Sequence, residues 1–256
     1  RRTLSEDDVK ALYLAADRIF EIDFDETPGR AVFADATANG YAAHCDPAAP
    51  DTCPDSGLPG RFNQAIRFDG VDDALTINPL RMPWHATVGA WVQPDTPGNE
   101  SIISYQETNQ QMGFGLGLED GKPYVHLGQY TVEGSAALPG HAWTHLTAVY
   151  SYNPYFVYLQ LYQDGVLVGE LEEFITTGDF RPFWYNSSDI TIGGEFSDHF
   201  AGRMDQVVVI RRALSDEEVA RLRDEAPSAS LHLDEPLRTS TAATTTHEFA
   251  NIAAPD

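Results

Sequence analysis

The chain has 256 residues, of which 42% are hydrophobic, and this is enough apolar material to bury the core of one large β domain. Sixteen basic against 39 acidic residues give a net charge of −23, which repels phosphate backbones and anionic membrane surfaces and disfavours a nucleic acid partner. No apolar run of about 18 residues occurs, so we expect no membrane insertion. The first residues lack the basic-then-apolar order of a signal peptide, and we therefore predict that the sequence is an excerpt from a longer protein.

The first residues of the chain recur near its end. RRTLSEDDV at 1–9 matches RRALSDEEV at 211–219, an offset of 210 residues. Self-similarity at a fixed period is typical of tandem repeats. We therefore predict that 1–17 is the tail of a preceding repeat, 18–226 a complete domain, and 227–256 the start of the following repeat.

Each junction between repeats is predicted to carry a short helix. Ser215 with Glu218 three residues later forms a capping box, and Ser5 begins the equivalent helix at the other junction. Apolar residues recur along both segments at helical spacing, so each helix can lay one side on a neighbour. Neighbouring repeats, or copies of the chain itself, are thus expected partners.

The two cysteines of the chain, Cys45 and Cys53, lie close together in a loop rich in proline, aspartate and alanine. This placement favours a local disulfide, which persists in an oxidising compartment and so predicts an extracellular or cell-surface location. The spacing is wider than in zinc sites, although a metal pair and a reduced cytosolic pair stay open as alternatives.

Between the junctions the pattern is almost wholly β. Short runs rich in Val, Ile, Phe, Tyr and Thr alternate with polar residues and are bounded by Gly, Pro, Asn and Asp. The turns Asp120-Gly121 and Asp164-Gly165 predict tight hairpins. Twelve strands are predicted, which argues for two packed antiparallel sheets: 20–26, 65–69, 74–78, 86–93, 101–105, 113–118, 124–129, 143–151, 155–163, 167–171, 189–192 and 203–211.

These punctuated strands resemble the laminin-G-like, concanavalin-A-like jelly-roll family over residues 20–223. The resemblance implies an all-β fold, a two-sheet antiparallel jelly-roll sandwich, with short helices at the inter-repeat junctions. The chain is similar in particular to modules found in tandem in large secreted bacterial proteins. The matching segments, in the order of the family, are Phe24-Asp25-Glu26, Asn39-Gly40, Phe68-Asp69-Gly70, Val88-Gly89-Ala90-Trp91, Trp143-Thr144-His145, Gln163-Asp164-Gly165, Ile192-Gly193-Gly194 and Gly202-Arg203-Met204-Asp205.

The resemblance also implies a structural calcium ion, because in similar modules an ion clamps the first loop to the last strand. The matching positions are Asp35 and Asn39 in the loop and Asp205 in the strand. Oxygen ligands of this kind suit Ca²⁺. The alternative is that Asp35 makes a local turn and Asp205 pairs with a basic neighbour such as Arg203.

The first predicted strand carries the carboxylates Glu21, Asp23, Asp25 and Glu26. Their alternation looks like the catalytic strand of jelly-roll β-glucanases, in which two carboxylates flank the scissile bond. The next repeat keeps only the last two acids, and the strand opens the domain instead of lying in its middle. We therefore interpret these acids as a charged outward face and keep glycoside hydrolysis as a second alternative.

Exposed aromatic residues are the candidates for ligand binding: Tyr130, Phe183, Trp184 and Tyr185. Aromatic rings in loops stack on sugar faces. The sequence predicts no enzyme. The favoured function is a non-catalytic repeat module of a secreted or surface protein, serving adhesion or filament assembly, with a carbohydrate-binding module for cell-surface glycans as the alternative.

Overall fold

A computed structural model describes residues 16–105, 113–153, 155–175, 188–195 and 198–225. Strands make up most of this part of the chain. In chain order the elements are β1 (Arg18–Ile22), β2 (Val32–Phe33), β3 (Ala43–His44), a 3₁₀ helix (Pro50–Thr52), β4 (Asp55–Pro59), β5 (Gln64–Asp69), β6 (Leu75–Leu80), β7 (His85–Pro94), β8 (Glu100–Tyr105), β9 (Phe114–Glu119), β10 (Lys122–Leu127), β11 (Tyr130–Glu133), β12 (Thr144–Tyr152), β13 (Phe156–Gln163), β14 (Val166–Phe174), β15 (Ser188–Ile192), β16 (Gly194–Glu195), β17 (Asp198–His199), β18 (Ala201–Ile210) and α1 (Asp216–Asp224).

The strands form two antiparallel sheets that make a sandwich. Sheet A has the order β14-β13-β12-β7-β18-β5-β4, and β1 pairs with the part of β18 that lies beyond β5. Sheet B has the order β11-β10-β9-β8-β15-β6-β3-β2. Strands distant in sequence, such as β7 and β18, pair directly, which is the crossed connectivity of a jelly roll.

The core lies between the sheets, and alternate residues of the central strands belong to its apolar cluster. On β7 these are Ala86, Val88, Ala90 and Val92. A second, smaller apolar cluster lies on the outer face of sheet A, beneath α1, and contains Val149, Tyr162, Val208, Ile210, Leu214, Val219 and Leu222. The helix therefore covers part of sheet A and leaves the outer face of sheet B as the other broad surface.

Local signals in the sequence account for the turns and the helix start. The two aspartate-glycine hairpins have the left-handed backbone that such turns require, with φ of 50° and 75° in the first and 50° and 76° in the second. The capping box of α1 is present, and the backbone N–H of Ser215 donates to Glu218 at 3.0 Å. Both predictions are confirmed.

The predicted all-β jelly-roll sandwich is confirmed, and the twelve predicted strands correspond to observed ones. Six short strands of two to five residues were not predicted: β2, β3, β4, β11, β16 and β17. Residues 1–15 and 226–256 lie outside the described residues, so the three repeat boundaries stay a prediction. Within the part of the chain that the structure describes, no helix has the length and apolar character needed to cross a membrane.

Candidate functional site

The outer face of sheet B has a floor of small residues. Directly opposed residues of antiparallel strands share a face. The pairings of β8, β9 and β10 therefore place two rows side by side on that face, Ser104-Gly115-His126 and Ser101-Gly117-Tyr124. All four of these small residues are buried, and side chains of β10 lie over the two glycines; we call this part of the outer face of sheet B the trough.

Two rings of β10, those of Tyr124 and His126, lie over the glycines of β9. A Cβ atom at Gly117 would come within 2.9 Å of the Tyr124 hydroxyl, and one at Gly115 would overlap the His126 imidazole. The two rings are nearly parallel, with an interplanar angle of 12° and centroids 6.1 Å apart. Both side chains are only partly buried, so the two stacked rings are partly accessible along the trough; we call this pair of rings the platform.

A groove of about 420 Å³ runs along this platform. Its polar lining can hydrogen-bond a ligand while the rings contact apolar surface. Burial lowers the pKa of His126, so the imidazole is neutral at pH 7. Residues that line the groove are Asn99, Leu118, Glu119, Tyr124, His126, Gly128, Thr131 and Asp198.

Of the four predicted ligand-binding residues, only Tyr130 lies within the described part of the chain. Tyr130 begins β11 beside the groove residue Thr131 and is itself partly buried against the core. Phe183, Trp184 and Tyr185 lie outside the described residues, and their role stays a prediction. Sequence reasoning missed the platform, although the alternating glycines at 115 and 117 were a signal that a neighbouring strand would lay side chains across them.

The predicted calcium ligands Asp35 and Asn39 hold the loop after β2 directly onto β1. The Asp35 carboxylate accepts three backbone N–H bonds, at 3.1, 2.9 and 2.9 Å, and one from the Thr37 hydroxyl at 2.8 Å. The Asn39 amide donates to two carbonyls of β1, at 3.0 and 2.9 Å. A carboxylate offers about four acceptor positions, so Asp35 is fully engaged and does not fit a metal ligand.

Asp205, the third predicted ligand, lies in a different network. It is fully buried, and one carboxylate oxygen accepts the Phe62 N–H at 2.8 Å while the other has no hydrogen-bond partner. Burial raises the pKa of Asp205 to about 7; the nearby Asp25 charge adds to this effect, and the backbone N–H groups of Phe62, Arg61 and Gln206 oppose it. A buried oxygen without a donor fits a cation or a proton.

One acidic group outside the predicted set is also compact. Among the described residues, Asp69, Asp72 and Asp73 are the three acids whose oxygens lie within 4.8 Å of one another. Asp69 accepts the Val71 N–H at 2.8 Å, and Asp73 accepts the Asp69 N–H at 2.8 Å. These bonds shape the turn between β5 and β6.

Of the carboxylates on the first predicted strand, Glu21 lies in β1 of sheet A, whereas Asp23, Asp25 and Glu26 follow the end of β1. Glu21 is 1% exposed and accepts from Arg18 at 2.7 Å and from Gln206 at 3.0 Å. Burial raises the pKa of Glu21, and the Arg18 charge opposes this. Phe24, with φ of 58°, breaks the alternation before Asp25. The interpretation of an outward charged face is therefore wrong for Glu21, because an ion pair lets this carboxylate be buried.

The disulfide predicted between Cys45 and Cys53 is present, with Cα atoms 5.4 Å apart. It closes the loop that contains the 3₁₀ helix. Because β3 ends at His44 and β4 begins at Asp55, the cross-link lies in the connection between β3 of sheet B and β4, an edge strand of sheet A.

Fold and sequence together define the class of this protein. Residues 69–220 match the laminin-G-type family model described as the concanavalin A-like lectin/glucanases superfamily, and the chain belongs to this family. No curated protein sequence matches the chain significantly.

Solved structures with the same fold include several domains of larger proteins. The binding domain of Paraclostridial Mosquitocidal Protein 1 has a TM-score of 0.61 and 17% identity, covering 82% of this chain and 52% of that one. Domain 4 of AbnA, a GH43 extracellular arabinanase from Geobacillus stearothermophilus, in complex with arabinotriose, has a TM-score of 0.60 and 16% identity, covering 81% and 98%. Trypanosoma rangeli sialidase has a TM-score of 0.60 and 14% identity, covering 81% and 32%. The chain thus spans about half of the first of these proteins, and the likenesses show a shared fold.

Proposed function

We propose that this chain is a non-catalytic glycan-binding module of a secreted or surface protein, and that it binds through the trough on sheet B. The observation that carries the proposal is the platform of Tyr124 and His126 over a floor of glycine and serine. Aromatic ring faces contact the apolar C–H faces of sugars, while polar rim groups meet the hydroxyls. Domain 4 of AbnA, which shares the fold, was solved with arabinotriose.

Two further observations support a binding role in the extracellular space. Two of the carboxylates that resembled a glucanase strand are engaged with groups of sheet A, Glu21 with Arg18 and Asp25 with the Gln64 N–H, so they do not flank a bound sugar in the trough on sheet B. The disulfide favours an oxidising compartment. If hydrolysis were the function, Glu21→Gln would abolish cleavage of a β-glucan, and we expect no cleavage to abolish.

The proposal is tested with Tyr124→Ala. The purified chain is screened on a glycan array, and the affinity for each bound glycan is then measured by calorimetry. Loss of the ring should weaken binding by about fivefold, because a stacked ring contributes on the order of 1 kcal/mol. The matched control is Tyr158→Ala, which removes a partly buried tyrosine from β13 of sheet A. Equal losses in the two variants, or no glycan bound by the unchanged chain, would refute the trough as the site.

A second candidate function is that of an adhesive or structural repeat, and contacts between the first and last described residues of the sandwich favour it. Arg18, at the start of the domain, forms an ion pair with Glu225, at its end, at 2.9 Å. The Arg211 N–H donates to the Asp17 carbonyl at 2.8 Å. Since the chain enters and leaves the sandwich at one place, the linkers would attach on one side of each domain, and tandem domains would lie next to one another. Electron micrographs of the native assembly would show such an array or exclude it.

A structural calcium ion stays part of the proposal, now with Asp205 as its ligand on sheet A. The unpartnered oxygen of this buried carboxylate would contribute one ligand, and calcium would supply charge neutralisation there. Excess EDTA should then lower the melting temperature, and added Ca²⁺ should restore it. A melting temperature that EDTA leaves unchanged would remove calcium from this account.

A further inference from the structure

A second groove lies on the outer face of sheet A, beside the start of α1. It has a volume of about 630 Å³, and the side chains along it are mostly polar. The acids in the first turn of α1 offset the positive end of the helix dipole, so this end of the helix does not make the groove attractive to anions. The lining residues are Tyr158, Gln160, Leu214, Ser215, Asp216 and Glu217.

Carboxylates surround the Tyr158 phenol. Glu172 lies directly opposite Tyr158 on β14, and Glu170 lies opposite Gln160, so both acids share the face that carries the groove. Burial raises the pKa of Tyr158, and the nearby charges of Glu170, Asp216 and Glu172 raise it further. Strands β12, β13 and β14 contain no lysine or arginine, and neither Glu170 nor Glu172 has an ion-pair partner among the described residues. The negative charge of this face is therefore uncompensated.

The Gln160 amide leaves one acceptor free at the groove, although the residue is only 7% exposed. The Tyr162 hydroxyl lies 2.9 Å from the Gln160 amide oxygen and 2.7 Å from an Asp216 carboxylate oxygen. A hydroxyl has one proton, and the charged acceptor is the stronger one. Turning the amide by 180° lets its nitrogen donate to Tyr162 and leaves its oxygen at the groove, where no donor among the described residues meets it. A buried acceptor beside carboxylates fits a cationic donor.

Exposed aromatic rings continue this surface along β13. Phe156 precedes Tyr158 by two residues and so points to the same face, and it pairs with Phe174 of β14. The two phenyl rings have centroids 4.8 Å apart, and the residues are 39% and 56% exposed. Alternate side chains of an extended peptide are about 7 Å apart, the same repeat that separates Phe156, Tyr158 and Gln160 along their strand. A peptide that runs along β13 would meet an apolar site first and then the acidic groove.

We propose that this face of sheet A binds an extended segment of a partner protein that carries lysine or arginine next to an apolar residue. The basic side chain lies over the Tyr158 ring, between the carboxylates of Glu170 and Glu172. The apolar side chain, two residues away, packs on Phe156 and Phe174. Charge complementarity favours this occupant over a second copy of the chain, which would set like charges against each other. The inference is independent of glycan binding, which uses the other sheet.

The size of the effect follows from Coulomb's law. Removal of one carboxylate about 6 Å from the bound cation should weaken binding by about threefold in a water-like dielectric at low ionic strength, and removal of two by about tenfold. At about 0.5 M salt the Debye length is only about 4 Å, so the loss for the pair should shrink to less than about twofold.

The test uses the whole chain and a serine heptapeptide that carries leucine, lysine and lysine at alternate positions and an uncharged fluorophore. Binding is measured by fluorescence anisotropy at low and high salt. We expect the peptide to bind, a version with glutamate for lysine not to bind, and a version with serine for leucine to bind more weakly. Glu170→Gln with Glu172→Gln should weaken binding about tenfold at low salt. The control, Glu119→Gln with Glu133→Gln, removes the same net charge from sheet B and should change binding by less than about twofold.

Two single variants separate this site from the trough. Tyr158→Ala should weaken binding of the lysine peptide and leave glycan binding unchanged, and Tyr124→Ala should do the reverse. Equal losses in the two double variants would show a general attraction to an acidic chain and would overturn the site, as would a lysine peptide that does not bind at low salt. Free spermine that binds as tightly as the peptide, with no gain from leucine, would overturn the protein partner. A glycan that binds at Tyr158 instead of the peptide would also overturn the proposal.

Discussion

Asp205→Asn should change how the stability of the protein depends on pH. The substitution keeps the shape of the side chain and an oxygen that can accept the Phe62 N–H, but it removes the titrating group. In the native protein this carboxyl is fully buried at the bulge of β18, and its pKa is raised from 3.8 to about 7. The perturbation therefore isolates one buried proton.

The sign follows from which state holds that proton. Below pH 4 the carboxyl is protonated in both the folded and the unfolded chain, so it carries no penalty. Between pH 4 and 7 the unfolded chain releases the proton while the folded chain keeps it, so the free energy of unfolding falls as pH rises. Each pKa unit corresponds to about 1.4 kcal/mol, and the whole window corresponds to about 4 kcal/mol. Above pH 7 the penalty is constant.

The assay is urea unfolding, followed by circular dichroism at pH 4, 6 and 8 in EDTA. The stability of the native chain minus that of Asp205→Asn should decrease by up to about 4 kcal/mol across this range. Asp120→Asn, in the exposed turn between β9 and β10, serves as the control and should shift stability by less than about 0.5 kcal/mol at each pH. A difference for Asp205→Asn that stays constant with pH would show that this carboxyl is ionised in the folded state and would refute the reasoning.

Two further substitutions test packing. Gly193→Ala should lower the free energy of unfolding by more than about 3 kcal/mol, because φ is 81° and a Cβ atom there would overlap the Phe68 ring. Gly29→Ala, with φ of 78° and open space around the Cβ position, should lower it by about 1 kcal/mol. Equal losses for the two variants in urea unfolding would contradict the overlap. Arg18→Met leaves Glu21 buried without its partner and should cost about 3 to 5 kcal/mol at pH 8, and adding Glu21→Met should recover part of that loss in the same assay.

The local structure of this protein could be read from its sequence, because it depends on neighbours along the chain. Alternation fixes which residues of β7 and β12 face the core, Asp164-Gly165 fixes a hairpin turn, and Ser215 with Glu218 fixes a helix start. The disulfide followed from the closeness of its two cysteines. Each of these features involves residues within about ten positions of one another.

The candidate site was decided by the tertiary structure. Tyr124 and His126 alternate on β10 like any polar pair, and they become a platform only because the register of β9 sets glycines beside them. Asp35 was predicted as a metal ligand, and the fold brings the Glu21 N–H of β1 onto one of its oxygens.

The difference between local pattern and tertiary structure also explains Glu21 of the first strand, which the sequence pattern predicted to be exposed. The pairing of β1 with β18 places Gln206 against it, and Arg18 completes the burial. Residues 21 and 206 are 185 positions apart, and no local pattern encodes that contact. The sequence by itself determined which residues make strands and turns, while the packing of strands distant along the chain determined which side chains meet, because register and burial are properties of the whole sandwich.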